Sequence, residues 1–252
     1  MKPFLIAVCS TILIGSACGP SDSVLLPDRT FLEENEWCRY TWKEDDGWAF
    51  IAWAIDIQDG AEILAIQSGY LPQEKPQPGE EIRFPFPENL SEALENRLDA
   101  ARLVREATEM LETEDTLSIC ILLEAAMDTD PSWSVPAYNF ALILLEIEGP
   151  DSVLAMLQPW SHKFDIALIQ SEIAWNNGDP DVALRQLEIC LMAESPPFEA
   201  LAAAALIYTV TGNVYQASGI WREILASHEA DASIRLMAVK YAILFEQRQA
   251  RD

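Results

Sequence analysis

The chain of 252 residues carries 41 acidic against 16 basic side chains, a formal net charge of −25. That balance excludes a nucleic-acid partner, because a duplex binder neutralises phosphates with clustered Lys and Arg, and the basic residues here are few and scattered. Half of the residues are hydrophobic and 9 % are aromatic, too apolar for a disordered acidic chain, and the length suits one large or two small folded units.

Met1 and Lys2 precede the apolar run from Phe4 to Ile14 and the small residues Gly15, Ser16 and Ala17. This is the charge, apolar core and small-residue exit of a secretory signal, too short to span a bilayer as a mature helix. Residues 1–17 are therefore set apart from the fold. Cys18, directly after three small residues, resembles the cysteine of a bacterial lipoprotein signal. The resemblance implies a lipid on the Cys18 thiol and a mature chain on the periplasmic side of an envelope membrane, with Gly19 rather than Asp beside it pointing to the outer one. A plain cut after Ala17 is the alternative, and both take the chain out of the cytoplasm. Residues 18–37 are mostly polar and aperiodic and read as a tether. Beyond them Cys38, Cys120 and Cys190 are too widely spaced for a disulfide framework or a metal-ligand pattern, and buried thiols are expected.

Arg39 to Lys43 alternates as a strand does, and Glu44, Asp45, Asp46 and Gly47 follow as a turn and helix cap. Trp48, Ile51, Ala52 and Ile55 recur at helical spacing, Asp59 and Gly60 break the run, and Ile63, Leu64 and Ile66 supply a second short helix ending near Gln67, Ser68 and Gly69. A Pro-rich loop then leads to a second alternating run, Glu80 to Pro85. The order strand, helix, helix, strand over residues 38–87, with Tyr40-Thr41-Trp42-Lys43 at its start and Pro78-Gly79 before its end, resembles the lysin motif (LysM). That family implies a βααβ module binding N-acetylglucosamine glycans such as peptidoglycan, through the turn Asp45, Asp46, Gly47 and Trp48 and the facing segment Gln67, Ser68 and Gly69. The family's Gly-Asp-Thr turn stands here as Asp45-Asp46-Gly47. The alternative is a LysM-shaped module that packs on its neighbours.

From residue 88 to 252 the apolar residues recur at helical spacing over segments of helix length. Gly178, Ala183, Leu187 and Leu191 are matched 34 residues later by Gly212, Ala217, Trp221 and Leu225. That period and pattern resemble the tetratricopeptide repeat. The family implies four helix pairs, near 100–133, 134–163, 164–197 and 198–231, with small residues at Ala107, Ala141, Ser171 and Ala205, and a last helix from Ala232 to Gln249. It also implies a concave face lined by the first helix of each pair. The repeat phase puts Tyr138, Leu142, Glu146, Leu168, Glu172 and Trp175 there, with Val104, Leu111, Leu145, Leu206 and Val210 and the acids Glu112, Asp165 and Glu199. Aromatic side chains among carboxylates suit an apolar or basic peptide. Each apolar member taken singly also suits packing between helices.

Two histidines, His162 and His228, fall in no zinc-ligand spacing, and no nucleophile elbow or phosphate-cradling glycine loop occurs. No metal or cofactor is expected, and no enzyme. The expected fold is a small α+β module of βααβ order followed by an all-α helical-repeat solenoid, mainly α overall. The expected function is that of a non-enzymatic envelope lipoprotein holding peptidoglycan and recruiting a protein partner. The alternative is a periplasmic protein–protein adaptor or assembly factor with a purely structural module.

Overall fold

The computed structural model describes residues 37–55, 60–87, 90–113, 115–228 and 230–249. The signal, Cys18 and the tether up to residue 36 lie outside them. Among the described residues eleven α-helices accompany one two-stranded antiparallel sheet near the N-terminus, so the chain is mainly helical. Contacts divide it into two units, residues 37–147 and residues 148–249. The division falls inside the helical region, so the small module shares a unit with the first three helices that follow it.

In the N-terminal unit, β1 (Trp37–Thr41) pairs with β2 (Glu81–Pro87), Tyr40 opposite Ile82 and Cys38 opposite Phe84. Alternation turns Cys38, Tyr40, Ile82 and Phe84 inward, where each is at most 3 % exposed, and leaves Arg39, Thr41 and Arg83 outside. Between the strands run α1 (Trp48–Ala54) and α2 (Ala61–Gln67). Their apolar faces, with Ile51, Ala52 and Leu64, close over the sheet together with Trp42 and Trp48. Then come α3 (Ser91–Glu109), α4 (Thr116–Thr129) and α5 (Ser134–Ile147). Leu94, Leu98, Ala101 and Val104 make the buried stripe of α3, and the small Ala107 and Ala141 are 2 % and 0 % exposed. Asp115 caps α4, its carboxylate accepting from Ser118 N at 3.2 Å.

The C-terminal unit holds α6 (Pro150–Leu157), α7 (Phe164–Asn176), α8 (Pro180–Leu191), α9 (Phe198–Thr211), α10 (Val214–Ala226) and α11 (Ala232–Gln249). Pro159 ends α6 in a single 3₁₀ turn, Gln158–Trp160. Short connections make α7 and α8, and α9 and α10, antiparallel neighbours. Two cores result. One gathers Ala167 and Ala174 of α7, Ala183, Leu187 and Cys190 of α8, and Ala203 and Ile207 of α9. The other gathers Leu201 and Ala205 of α9, Ala217, Trp221 and Ile224 of α10, and Ile234, Ala238 and Phe245 of α11. Every residue of α9 from Ala200 to Ile207 is buried, five of those eight being alanines. Small side chains let helices approach this one from several sides. Trp221, fully buried, stacks on Tyr241 with ring centroids 5.0 Å apart and planes 8° apart.

Gly178 and Gly212, related by the 34-residue period, both turn the chain at φ +85°. An L residue in that region costs about 1–2 kcal/mol. A Cβ at Gly212 would meet nothing within 4 Å, so Gly212→Ala isolates the backbone cost. It is expected to lower the melting temperature by about 4–8 °C, followed by circular dichroism. Gly219, inside α10, has a helical backbone and equal room. Gly219→Ala is expected to shift the same transition upward, by about 0.5–1 kcal/mol.

Candidate functional site

Asp46 was expected to cap α1 and to help hold a sugar. Its side chain makes no cap hydrogen bond to α1. It is fully buried, and its Oδ2 accepts from Tyr40 Oη at 2.6 Å and from Lys43 N at 2.7 Å. Its Oδ1 pairs at 2.6 Å with the Arg102 guanidinium, which reaches it from α3. Arg102 also donates to Tyr40 Oη at 2.5 Å and pairs with Asp99, while Lys43 pairs with Asp99 at 2.6 Å. Three donors thus meet on one buried carboxylate. Burial and the neighbouring Asp46 raise the Tyr40 phenol above its ordinary range. For Arg102, burial opposes the charged form, and the Asp46 and Tyr40 oxygens outweigh it to raise the pKa.

The rest of the turn is also engaged. Arg105 of α3 donates to the Asp45 carbonyl at 3.1 Å, although the Asp45 carboxylate itself is exposed. Asp46 N donates to Lys43 O, and Gly47 O accepts from Ile51 N. Trp48 is 6 % exposed. Its ring lies against Trp42, Tyr70 and Phe84, and its Nε1 donates to Glu74 O at 2.6 Å. Facing it, Gln67 and Gly69 are exposed and Ser68 half-buried. Their amides serve the end of α2: Ser68 N donates to Leu64 O and Ala65 O, and Gly69 N to Ile66 O. The loop after α2 is held at both ends, by Gly79 N on Trp42 O at 2.7 Å and by Tyr70 Oη on Glu80 at 2.6 Å. The Glu80 hydrogen bond, with some burial, pushes the Tyr70 phenol up to about 12. The Asp46, Ser68 and Gly69 amides and the Asp45 and Gly47 carbonyls thus have partners inside the protein.

A second contact joins the module to the helices. Arg97 of α3 pairs with Asp130, donates to Ala54 O at 3.4 Å, and lies 5.2 Å over the Trp133 ring. Trp133 in turn meets Trp53 of α1 edge-on at 5.6 Å. Arg105 lies 4.5 Å over Phe50. Guanidiniums suit this seam because they stack on rings and fork to carboxylates at once.

The residues expected to form a partner groove fall in both units. In the N-terminal unit Tyr138 is 5 % exposed, so its ring belongs to the core, while Leu142 is half-buried and Glu146 exposed. In the C-terminal unit Leu168 and Trp175 are half-buried and pack against the core shared by α7, α8 and α9. Glu172 is buried. On α9, Leu206 is buried, Val210 is 55 % exposed, and Glu199 is half-buried. Desolvation, with a smaller contribution from Asp231, raises the Glu199 pKa. Sequence periodicity finds such residues but not their depth, because depth depends on which neighbouring helix covers them.

His162 and His228 are both exposed. Among the described residues no cluster of three His, Cys, Asp or Glu side chains could hold a metal ion, and no helix is long and apolar enough to cross a membrane. No disulfide joins Cys38, Cys120 and Cys190, and burial, with Asp165 nearby, pushes the Cys190 thiol up to about 12. No family model matches the chain, nor does any curated protein or solved structure.

Two outcomes follow. Arg102→Met leaves the buried Asp46 carboxylate without its cation and is expected to cost about 3–5 kcal/mol. Arg39→Met removes an exposed pair with Glu81 and is expected to cost no more than about 1 kcal/mol. Urea unfolding separates the two, and adding Asp46→Asn to Arg102→Met should recover part of the loss. For Glu199, a folded-state pKa above the unfolded one means that its contribution is fully present below the ordinary carboxyl range and is lost as pH rises through the raised value. Glu199→Gln should therefore raise the melting temperature at about pH 7 and leave it nearly unchanged at about pH 4.

Proposed function

We propose that this chain is a non-enzymatic scaffold of the bacterial cell envelope that binds a protein partner through its helices, with the βααβ module acting as their N-terminal cap. The observation that carries this reading is the Asp46–Arg102 pair. The turn that resembles a glycan site is folded onto α3, with the Asp46 side chain buried on Arg102 and the Asp45 carbonyl held by Arg105. A sugar would have to displace these bonds, and an ion pair broken in a buried site leaves an expensive charge behind. The module therefore closes the open end of the first helix pair, and the helix pairs after it form a helical-repeat solenoid of the tetratricopeptide kind. The signal-like N-terminus and a lipid on Cys18 would hold the chain to the periplasmic side of the outer membrane, by the resemblance already described.

The partner is a peptide segment with apolar side chains and Lys or Arg. In the C-terminal unit α7 and α9 carry Leu168, Trp175 and Val210 on the phase that the repeat turns to its concave side. Glu172 and Glu199 stand on the same phase. A carboxylate held above its ordinary pKa by desolvation gains when a cation arrives, which selects a basic ligand. Trp175 cannot serve as the test residue, because it packs against the α7–α9 core, so that its removal damages stability at the same time.

Val210 can, since it is largely exposed. With the full chain as bait for envelope extract, Val210→Asp and Glu199→Gln should each reduce capture of one partner, and added salt should weaken it further. In the same preparation, sedimentation with purified cell-wall sacculi should leave the chain in the supernatant. Retention on sacculi that is lost on changing Gln67 and Ser68 would overturn the cap reading in favour of a peptidoglycan-binding module.

A further inference from the structure

Asn177-Gly178 is the one Asn-Gly pair in the sequence, and the fold places it on the surface, in the turn between α7 and α8. Asn177 ends α7 with a helical backbone, φ −76° and ψ −5°, and Gly178 follows at φ +85°. Gly178 N donates to Trp175 O and Asp179 N to Ala174 O, both at 3.0 Å, the paired bonds that close a helix on a left-handed glycine. Pro180 then starts α8. Two helices that share one core, with Ala174 on one side and Ala183 and Leu187 on the other, therefore depend on the exposed turn 176–179.

An asparagine before glycine can modify itself. The glycine nitrogen attacks the side-chain Cγ, the N–Cγ bond forms, the Cγ–Nδ2 bond breaks, and Nδ2 leaves as ammonia with the glycine amide proton. Water then opens the cyclic imide. Attack at Cγ gives aspartate, and attack at the backbone carbonyl carbon gives isoaspartate, whose main chain runs through Cβ and Cγ. No oxidant or reductant takes part. Glycine favours the reaction because it brings no Cβ to hinder the attacking nitrogen or stiffen the turn. For the ring to close, that nitrogen must eclipse the asparagine Cβ, so ψ of the asparagine has to leave the helical range. At ψ −5° Gly178 N is turned away from the Asn177 side chain and engaged with Trp175 O. The folded turn thus withholds the nucleophile from an exposed side chain.

We infer that Asn177 is a self-modification site gated by opening of the α7–α8 turn, and that its isoaspartyl product uncouples the two helices. An extra main-chain carbon at residue 177 displaces Gly178 and Asp179 from the carbonyls they reach in the folded turn. The new carboxylate also stands at the C-terminus of α7, where the helix dipole disfavours it. The corresponding turn 34 residues on closes in the same way, with Asn213 N on Tyr208 O at 2.8 Å. It reads Thr211-Gly212 and has no side-chain amide before its glycine to lose.

The full chain is incubated at mildly alkaline pH with and without urea. Residue 177 is followed by peptide mass spectrometry with electron-transfer fragmentation, which separates aspartate from isoaspartate. Conversion should be confined to Asn177, leaving Asn176 and Asn213 intact, and should run about tenfold or more faster in urea, since the folded turn opens only rarely. The isoaspartyl fraction should melt several degrees below fresh protein, whereas Asn177→Asp, with an ordinary main chain, should lose much less. Ageing of Asn177→Gln should leave its transition where it was. Equal rates with and without urea overturn the inference, as does conversion of Asn176 ahead of Asn177. So does an isoaspartyl fraction that melts with fresh protein, or an Asn177→Gln chain that loses stability on ageing as the wild type does.

Discussion

One buried carboxylate organises the N-terminal half of this protein. Asp46 sits in the turn between β1 and α1 with no exposed surface, and three donors converge on it: the Tyr40 hydroxyl, the Lys43 amide and, from α3, the Arg102 guanidinium. A charge so placed is tolerated only while its partners stay in position, because an unpaired carboxylate in low dielectric costs several kcal/mol. The pair contributes little net stability over an apolar alternative, yet it makes one docking geometry far better than its neighbours. Arg97 on Trp133 and Arg105 on Phe50 extend the same seam along α3. The module and α3 are thereby one folded object, which accounts for the boundary between the two units falling after α5.

That constraint shapes the functional argument. The Asp46 side chain, the Asp46 amide and the Asp45 and Gly47 carbonyls of the turn are engaged inside the protein, while the Asp45 carboxylate stays exposed. The C-terminal unit is built differently. Its cores are alanine-rich and its charges mostly stay outside, with Glu172 and Glu199 as exceptions held at reduced exposure.

How much of this was legible in the sequence follows from the range of each interaction. Strand alternation around Tyr40 and Ile82, the short helices of the module and the glycine turns at 178 and 212 are local features, and pattern reading places them within a residue or two. The last helix, Ala232–Gln249, was legible for the same reason. The partner of Asp46 was not, because Arg102 lies 56 residues away in sequence and no periodicity links an acidic turn to one guanidinium on a later helix. The local signal at Glu44–Gly47, acids before an apolar run, placed the turn and the cap residue Gly47, but it did not show that the Asp46 carboxylate turns to the ion pair. Tyr138 shows a related limit. The repeat resemblance assigned it to a binding face, but it is only 5 % exposed. Phase gives direction, and depth comes only from what packs on top.

Asp46 and Arg102 tie the βααβ module and α3 into one cooperative unit. Native-state hydrogen exchange of the full chain, read by mass spectrometry on peptides covering β1, β2 and α3, addresses it most directly. The account predicts a common opening free energy for the amides around Tyr40 and Ile82 and those around Leu98 and Arg102, lowered together by Arg102→Met. Strand amides that open independently of α3, or a substitution that loosens the module while α3 keeps its protection, would contradict it.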